Sequence, residues 1–234
     1  MICKKYKFSR RRYEEIEEDL KKAADSEYAQ NYTTCFLQDG DAFVLQTEFL
    51  MQILEGIHKY LPNIKHVTTY ARADSIARKS VSELRELKTA GIEHLYCGME
   101  TGSDLILRKI NKGFDTATII ISGTKAKEAG MVLSEFTLFG IGGKELAEEN
   151  AVETAKVLNV IKPDFVRVHA TGIKLSSEMW NYVKNKELTL QSEEEIVSEQ
   201  KIMLELLADD MDCIYMNEHI VNLLLEVRGN IRTD

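Results

Sequence analysis

Ile92-Glu93-His94-Leu95-Tyr96-Cys97-Gly98-Met99-Glu100-Thr101-Gly102-Ser103-Asp104 is the stretch on which the fold turns. Ile92 to Met99 is apolar and aromatic, a strand composition. It then ends on a carboxylate set between Gly98 and Gly102, which is poor strand chemistry and good site chemistry. Upstream, Ser80 and Glu83 form an S-x-x-E capping box, Leu84 and Leu87 continue the helix, and Gly91 stands where a C′ residue closes it. Downstream, a helix from about Asp115 stops at Gly130, and Val132–Phe139 returns as a strand. Helix, strand, helix and strand in close succession predict right-handed βαβ units and a mostly parallel sheet.

The same alternation extends in both directions. Tyr13, Ile16, Leu20, Ala23 and Ala24 place one apolar stripe on a helix over Tyr13–Ala24. Thr33–Leu37 reads as a strand broken by Asp39-Gly40-Asp41, a helix follows from Thr47, and His66–Tyr70 is a second strand. Glu145–Ile161 is helical and Asp164–His169 is a fifth strand. Helices at about Ser192–Ala208 and Glu218–Val227 flank the short apolar segment Cys213–Met216. Five strands are too few for a closed eight-fold barrel and suit a partial barrel or an open doubly wound sheet. The chain reads as one domain, 1–234, with a basic segment over 1–12 and a helical C-terminal segment over 191–234.

Composition narrows the function. With 30 basic and 38 acidic residues the formal net charge is −8, the wrong sign for a generic nucleic-acid binder. The exception is the N-terminus, where Lys4, Lys5, Lys7, Arg10, Arg11 and Arg12 occur without an acid, as a solvated start or a local anion or RNA contact. No apolar run reaches the roughly 18 residues that span a bilayer, and no apolar stretch follows the basic residues as in a signal peptide. Cys3, Cys35, Cys97 and Cys213 are widely spread and form no CxxC pair, which suits reduced thiols in the cytoplasm.

In a parallel sheet of this kind the site lies at the carboxyl ends of the strands. Those ends read Asp39-Gly40-Asp41-Ala42, Ala71-Arg72-Ala73-Asp74, Gly98 to Asp104, Gly140-Ile141-Gly142-Gly143-Lys144-Glu145 and His169-Ala170-Thr171. Glycine lets a ligand approach the backbone, and carboxylates suit ribose hydroxyls or an ammonium group. Gly140–Lys144 before a helix is either a phosphate cradle or a tight βα connection.

Taken in order, these ends resemble the radical S-adenosylmethionine (SAM) enzymes, from Cys3 to about Asn230. The branch they are most similar to is that of the oxygen-independent coproporphyrinogen oxidases and Elp-type enzymes. Gly40-Asp41-Ala42 resembles the family's GGE-type motif, which receives the methionine ammonium of SAM. Gly98 to Asp104 resembles its G-x-E-S-G-S-D strand end, where the acid meets the ribose or methionine part. Gly140 to Glu145 resembles the glycine motif near the adenine, and Asn217 to Leu224 resembles an S-D-H-x-x-N-L-L stretch. The resemblance implies a partial parallel (β/α) barrel, here without its first strand. It implies SAM contacts at Gly40, Asp41, Gly98, Glu100, Gly102, Ser103, Gly140 and Gly142.

The family's defining C-x3-C-x2-C motif ligates a [4Fe–4S] cluster through three thiolates. Only Cys3 stands in that neighbourhood, as the motif's last cysteine and an expected metal ligand. Cys35 lies about 16 Å below its strand end at about 3.3 Å per residue, and strand alternation turns Cys97 away from Glu100. The sequence reads as an N-terminally incomplete copy, and the activity implied for a complete form carrying the other two cysteines is reductive cleavage of SAM at the cluster to a 5′-deoxyadenosyl radical, acting on a small-molecule or unknown substrate with electrons from a flavodoxin or ferredoxin. Two rival readings are a degenerate barrel that binds a nucleoside or a partner, and an unrelated α/β enzyme handling a phosphorylated metabolite. His169, Trp180 and His219 are substrate-side candidates. An unpaired edge at Thr33–Leu37 would favour self-association.

Overall fold

The structure, a computed structural model, describes residues 9–219, 222 and 227–231. Strands β1 (Thr34–Leu37), β2 (His66–Ala71), β3 (Ile92–Glu100), β4 (Val132–Phe139), β5 (Phe165–Ala170), β6 (Ile214–Met216) and β7 (Arg228–Asn230) form one sheet in chain order. Neighbours from β1 to β6 pair in parallel, and β7 closes the far side antiparallel to β6. Helices α1 (Tyr13–Ala24), α2 (Thr47–Tyr60), α3 (Ala73–Ala77), α4 (Val81–Thr89), α5 (Asp104–Lys109), α6 (Thr116–Glu128), α7 (Ala147–Ile161), α8 (Glu178–Lys184) and α9 (Glu193–Glu205) fill the connections. This is the architecture of a partial parallel barrel, with β1 at one edge among the described residues.

Local chemistry sets the helix ends. Glu83 N–H donates to Ser80 Oγ while Ser80 N–H donates to Glu83 Oε2, so the capping box forms. Gly91 takes φ +115°, a left-handed turn that a Cβ would oppose, between α4 and β3. Ser103 and Asp115 cap α5 and α6 in the same way as Ser80 caps α4.

Successive residues on each strand alternate between two faces. Val67, Leu95, Cys97, Met99, Leu133, Val166 and Val168 face the helices and join the main core with Leu50, Leu84, Ile119 and Leu158. Tyr70, Tyr96, Phe136 and Phe165 stand on the other, concave face and take no part in that core.

The C-terminal part differs from the sequence expectation. Helix was expected over Ser192–Ala208 and Glu218–Val227; Glu193–Glu205 is helical, and residues 220–221 and 223–226 of the second stretch lie outside the described residues. Cys213–Met216 supplies β6, and Glu218, His219, Asn222 and Val227 are all outside helices. The reason is long-range. Asn222 Oδ1 accepts from Ala170 N–H and its Nδ2 donates to Val168 C=O, so it satisfies the edge of β5. Asn217 N–H donates to Val227 C=O, which starts the β6–β7 pair.

Candidate functional site

Glu100 ends β3 under constraint. The β3–β4 register slips between Gly98 and Glu100, and Glu100 holds φ +65°. For a residue with a Cβ this region costs about 1–3 kcal/mol, and such outliers gather at functional positions. The bulge folds the carboxylate back over Gly98, where Oε1 lies 2.5 Å from the place a Gly98 Cβ would occupy. Gly98 is therefore what admits the Glu100 side chain.

Lys112, in the α5–α6 connection, donates Nζ to Glu100 Oε1 at 2.6 Å, with both side chains largely sheltered. Arg72, at the end of β2, donates to the Lys112 carbonyl at 3.0 Å and to Asp74 at 2.9 Å. Strand ends β2 and β3 are thus linked through a loop that sequence spacing did not mark. Across the opening, the His169 and His219 rings sit 4.1 Å apart. Burial, then the neighbouring His219, lowers the His169 pKa, and the Glu100 charge opposes them. Trp180 lies on α8, behind the Ser177 cap.

The other expected contacts occupy a range of settings. Gly40 faces open space. Asp41 accepts from Arg72 N–H and Ser75 Oγ–H and so fastens the start of α3; burial raises its carboxyl and these bonds oppose the rise. Ser103 is buried, caps Ile106 N–H and donates to Glu149. Gly140 donates its N–H to Glu199 Oε2 at 2.9 Å, and Glu199 is also held by Asn150 and Gln191. A Cβ on Gly142 would meet Leu146 Cβ at 2.9 Å. Lys144 pairs with Glu195, and its N–H donates to the Thr189 carbonyl, which is the tight-connection geometry.

Gly102 packs against helix backbone. A Cβ there would lie 2.2 Å from the Glu153 carbonyl oxygen in α7. Gly102→Ala is expected to destabilise the fold by about 1–3 kcal/mol, since neither backbone can yield cheaply. Urea denaturation checks this, and a wild-type midpoint would show that α7 can move.

Cys3 lies outside the described residues. Cys35, Cys97 and Cys213 do not suit a cluster. Cys35 and Cys97 sit on the helix-facing side of their strands, in registers four residues apart, and Cys213 lies just before β6. Burial raises the Cys35 pKa, drives that of Cys97 well up, and pushes Cys213 to about 12. Thiolates are the ligating form. No group of three metal-ligating side chains occurs among the described residues. Cys35→Ser, Cys97→Ser and Cys213→Ser are each expected to leave bound iron unchanged after anaerobic reconstitution. A clear loss of iron in any one would make that thiol a ligand.

The sequence profile of the radical SAM superfamily matches residues 2–158, two thirds of the chain. The chain belongs to the radical SAM superfamily. It is 24% identical to the heme chaperone HemW of Bacillus subtilis over 173 residues, which covers 73% of this chain and 45% of that protein. Its fold is similar to that of an N-terminally deleted Elp3 from the archaeon Methanocaldococcus infernus, with a TM-score of 0.59 and 15% identity over 84% of this chain and 50% of that one. Coproporphyrinogen III oxidase (HemN) from Escherichia coli, described as a radical SAM enzyme, gives 0.59 and 13% over 85% and 46%. The chain spans about half the length of these relatives. Membership carries the expectation of SAM and a [4Fe–4S] cluster. No described helix is long and apolar enough to cross a membrane.

Proposed function

We propose that the carboxyl edge of this sheet is the SAM-binding wall of a radical SAM enzyme, with Glu100 receiving the ribose or methionine end of SAM. The observation that carries this reading is the strained Glu100, held over Gly98 at a bulged strand end. Lys112 holds Oε1, and among the described residues no hydrogen bond reaches Oε2. A carboxylate fixed this way presents one oxygen to a hydroxyl or ammonium group.

Gly40 and Asp41 would border the methionine end, and Gly98, Gly102 and Ser103 the Glu100 turn. Gly140 and Gly142 would border the base. No described cysteine suits the cluster, so the reading stands on the SAM end alone. A flavodoxin- or ferredoxin-type donor would supply electrons and the substrate would lie within the half-barrel. The β1 edge, unpaired among the described residues, would favour self-association. Equilibrium dialysis of labelled SAM against the chain tests the reading. Saturable binding that S-adenosylhomocysteine displaces supports it, and binding no better than to an unrelated protein overturns it.

A further inference from the structure

The concave face is lined by rings that the core does not use. Phe36 and Tyr70 are 37% and 40% exposed near the β1 edge, with ring centroids 4.8 Å apart. The contacts continue across the sheet through Tyr96, Phe136 and His169, at 6.1, 6.2 and 5.2 Å. A partly exposed aromatic surface of this continuity marks a binding surface rather than scattered surface residues.

One cation stands in it. Arg167, on β5, lies over the Tyr96 and Phe165 rings at 5.1 and 5.7 Å. Its Nε–H donates to Ser134 Oγ at 3.2 Å, and Ser134 is hydrogen-bonded to His94 Nε2 at 2.8 Å. Burial and the Arg167 charge hold His94 down to about 4, so its ring is neutral. Ser134 Oγ accepts from the arginine and shares its other hydrogen bond with His94, so neither partner of this chain of bonds is a carboxylate. Among the described residues no acid pairs with Arg167. The Asp164 carboxylate, on the same turn into β5, is taken by Lys127 at 2.6 Å. A guanidinium placed among rings, with no acid paired to it among the described residues, is a site for an anion.

We infer that this face takes a flat conjugated substrate group carrying an anionic substituent, stacked among Tyr96, Phe136 and Phe165 with Arg167 as its counter-ion. Calling that ligand the substrate rests on the radical SAM reading above; the binding step does not, and it is measured without SAM. Failure here with SAM still bound would reject the substrate class alone.

The test compares 1-pyrenecarboxylate with 1-pyrenemethanol, which share a ring system and differ in charge, by fluorescence anisotropy on the 234-residue chain. The carboxylate is expected to bind at least about tenfold more tightly than the alcohol, a step of about 1.4 kcal/mol. Arg167→Met is expected to abolish that preference while leaving the alcohol within about twofold, since the rings remain. Tyr96→Leu is expected to weaken both probes. Arg167→Lys keeps the charge without the planar fork and is expected to retain part of the preference, which guards against a methionine variant that fails to fold. Equal affinity of the two probes for the wild type, or no binding of either, overturns the inference. So does an undiminished preference in folded Arg167→Met.

Discussion

Glu100→Gln is expected to weaken SAM binding by about ten- to a hundred-fold. A carboxylate that accepts a charge-assisted hydrogen bond contributes on the order of 1.5–3 kcal/mol more than its removal leaves behind, and each 1.4 kcal/mol is about tenfold. Glutamine keeps the shape and the bulge, so the backbone strain at φ +65° is retained. It does lose the ion pair to Lys112, which at this partial exposure is worth about 1 kcal/mol of stability. Lys112→Met separates the two effects. It breaks the same pair but leaves the carboxylate, now more negative toward the sulfonium and ammonium of SAM. Its affinity for SAM is expected to stay level or rise, while its stability falls as that of Glu100→Gln does. Equilibrium dialysis and urea denaturation on the three proteins give the comparison. Equal SAM affinity in wild type and Glu100→Gln would remove Glu100 from the site. Equal losses in both variants would reduce its role to structural pairing.

The second large effect is on stability. Glu135 on β4 is fully buried on the helix-facing side, and no hydrogen bond of ordinary length reaches either carboxylate oxygen. Burial raises its pKa from 4.5 to about 8, with the Cys97 thiol and Lys112 lowering it and Glu100 raising it. The unfolded chain loses this proton near pH 4.5, whereas the folded chain keeps it to about pH 8. In that window the folded state binds more protons, so stability falls as pH rises and is lowest above pH 8. At about 1.4 kcal/mol per pH unit, the cost at neutral pH is on the order of 3 kcal/mol. Glu135→Met removes the titration and fills the same volume. Between pH 5 and pH 8 the wild type is therefore expected to lose on the order of 3 kcal/mol more than the variant. Parallel pH profiles for the two proteins in urea denaturation would show that Glu135 is ionised or solvated in the fold.

The sheet was legible because its signals are local. The Ser80–Glu83 box, Gly91 and the apolar spacing of α2 act within one or two helical turns, and the chain obeys them. Strand alternation also turned Cys97 away from Glu100, and the thiol lies in the core on the helix side. Strands β6 and β7 were not legible, since three residues carry no period. Asn222 itself is bonded to β5, more than fifty residues back in sequence.

At the site the division is sharper. The order of glycine- and acid-bearing strand ends belonged to the sequence, because a parallel βα chain must place all those ends on one side of its sheet. What meets each glycine did not. Gly102 is filled by α7 backbone, Gly142 by Leu146 and Gly98 by Glu100 itself. A missing Cβ reads the same whether a ligand or the chain's own atoms take the space. Lys112 beside Glu100 and Arg167 among the rings are likewise products of strand register and loop path. Sequence by itself thus determined the parallel half-barrel and its chemical edge, through short-range periodicity. Only tertiary packing decided which charges face one another across it, because those distances join residues far apart in the chain.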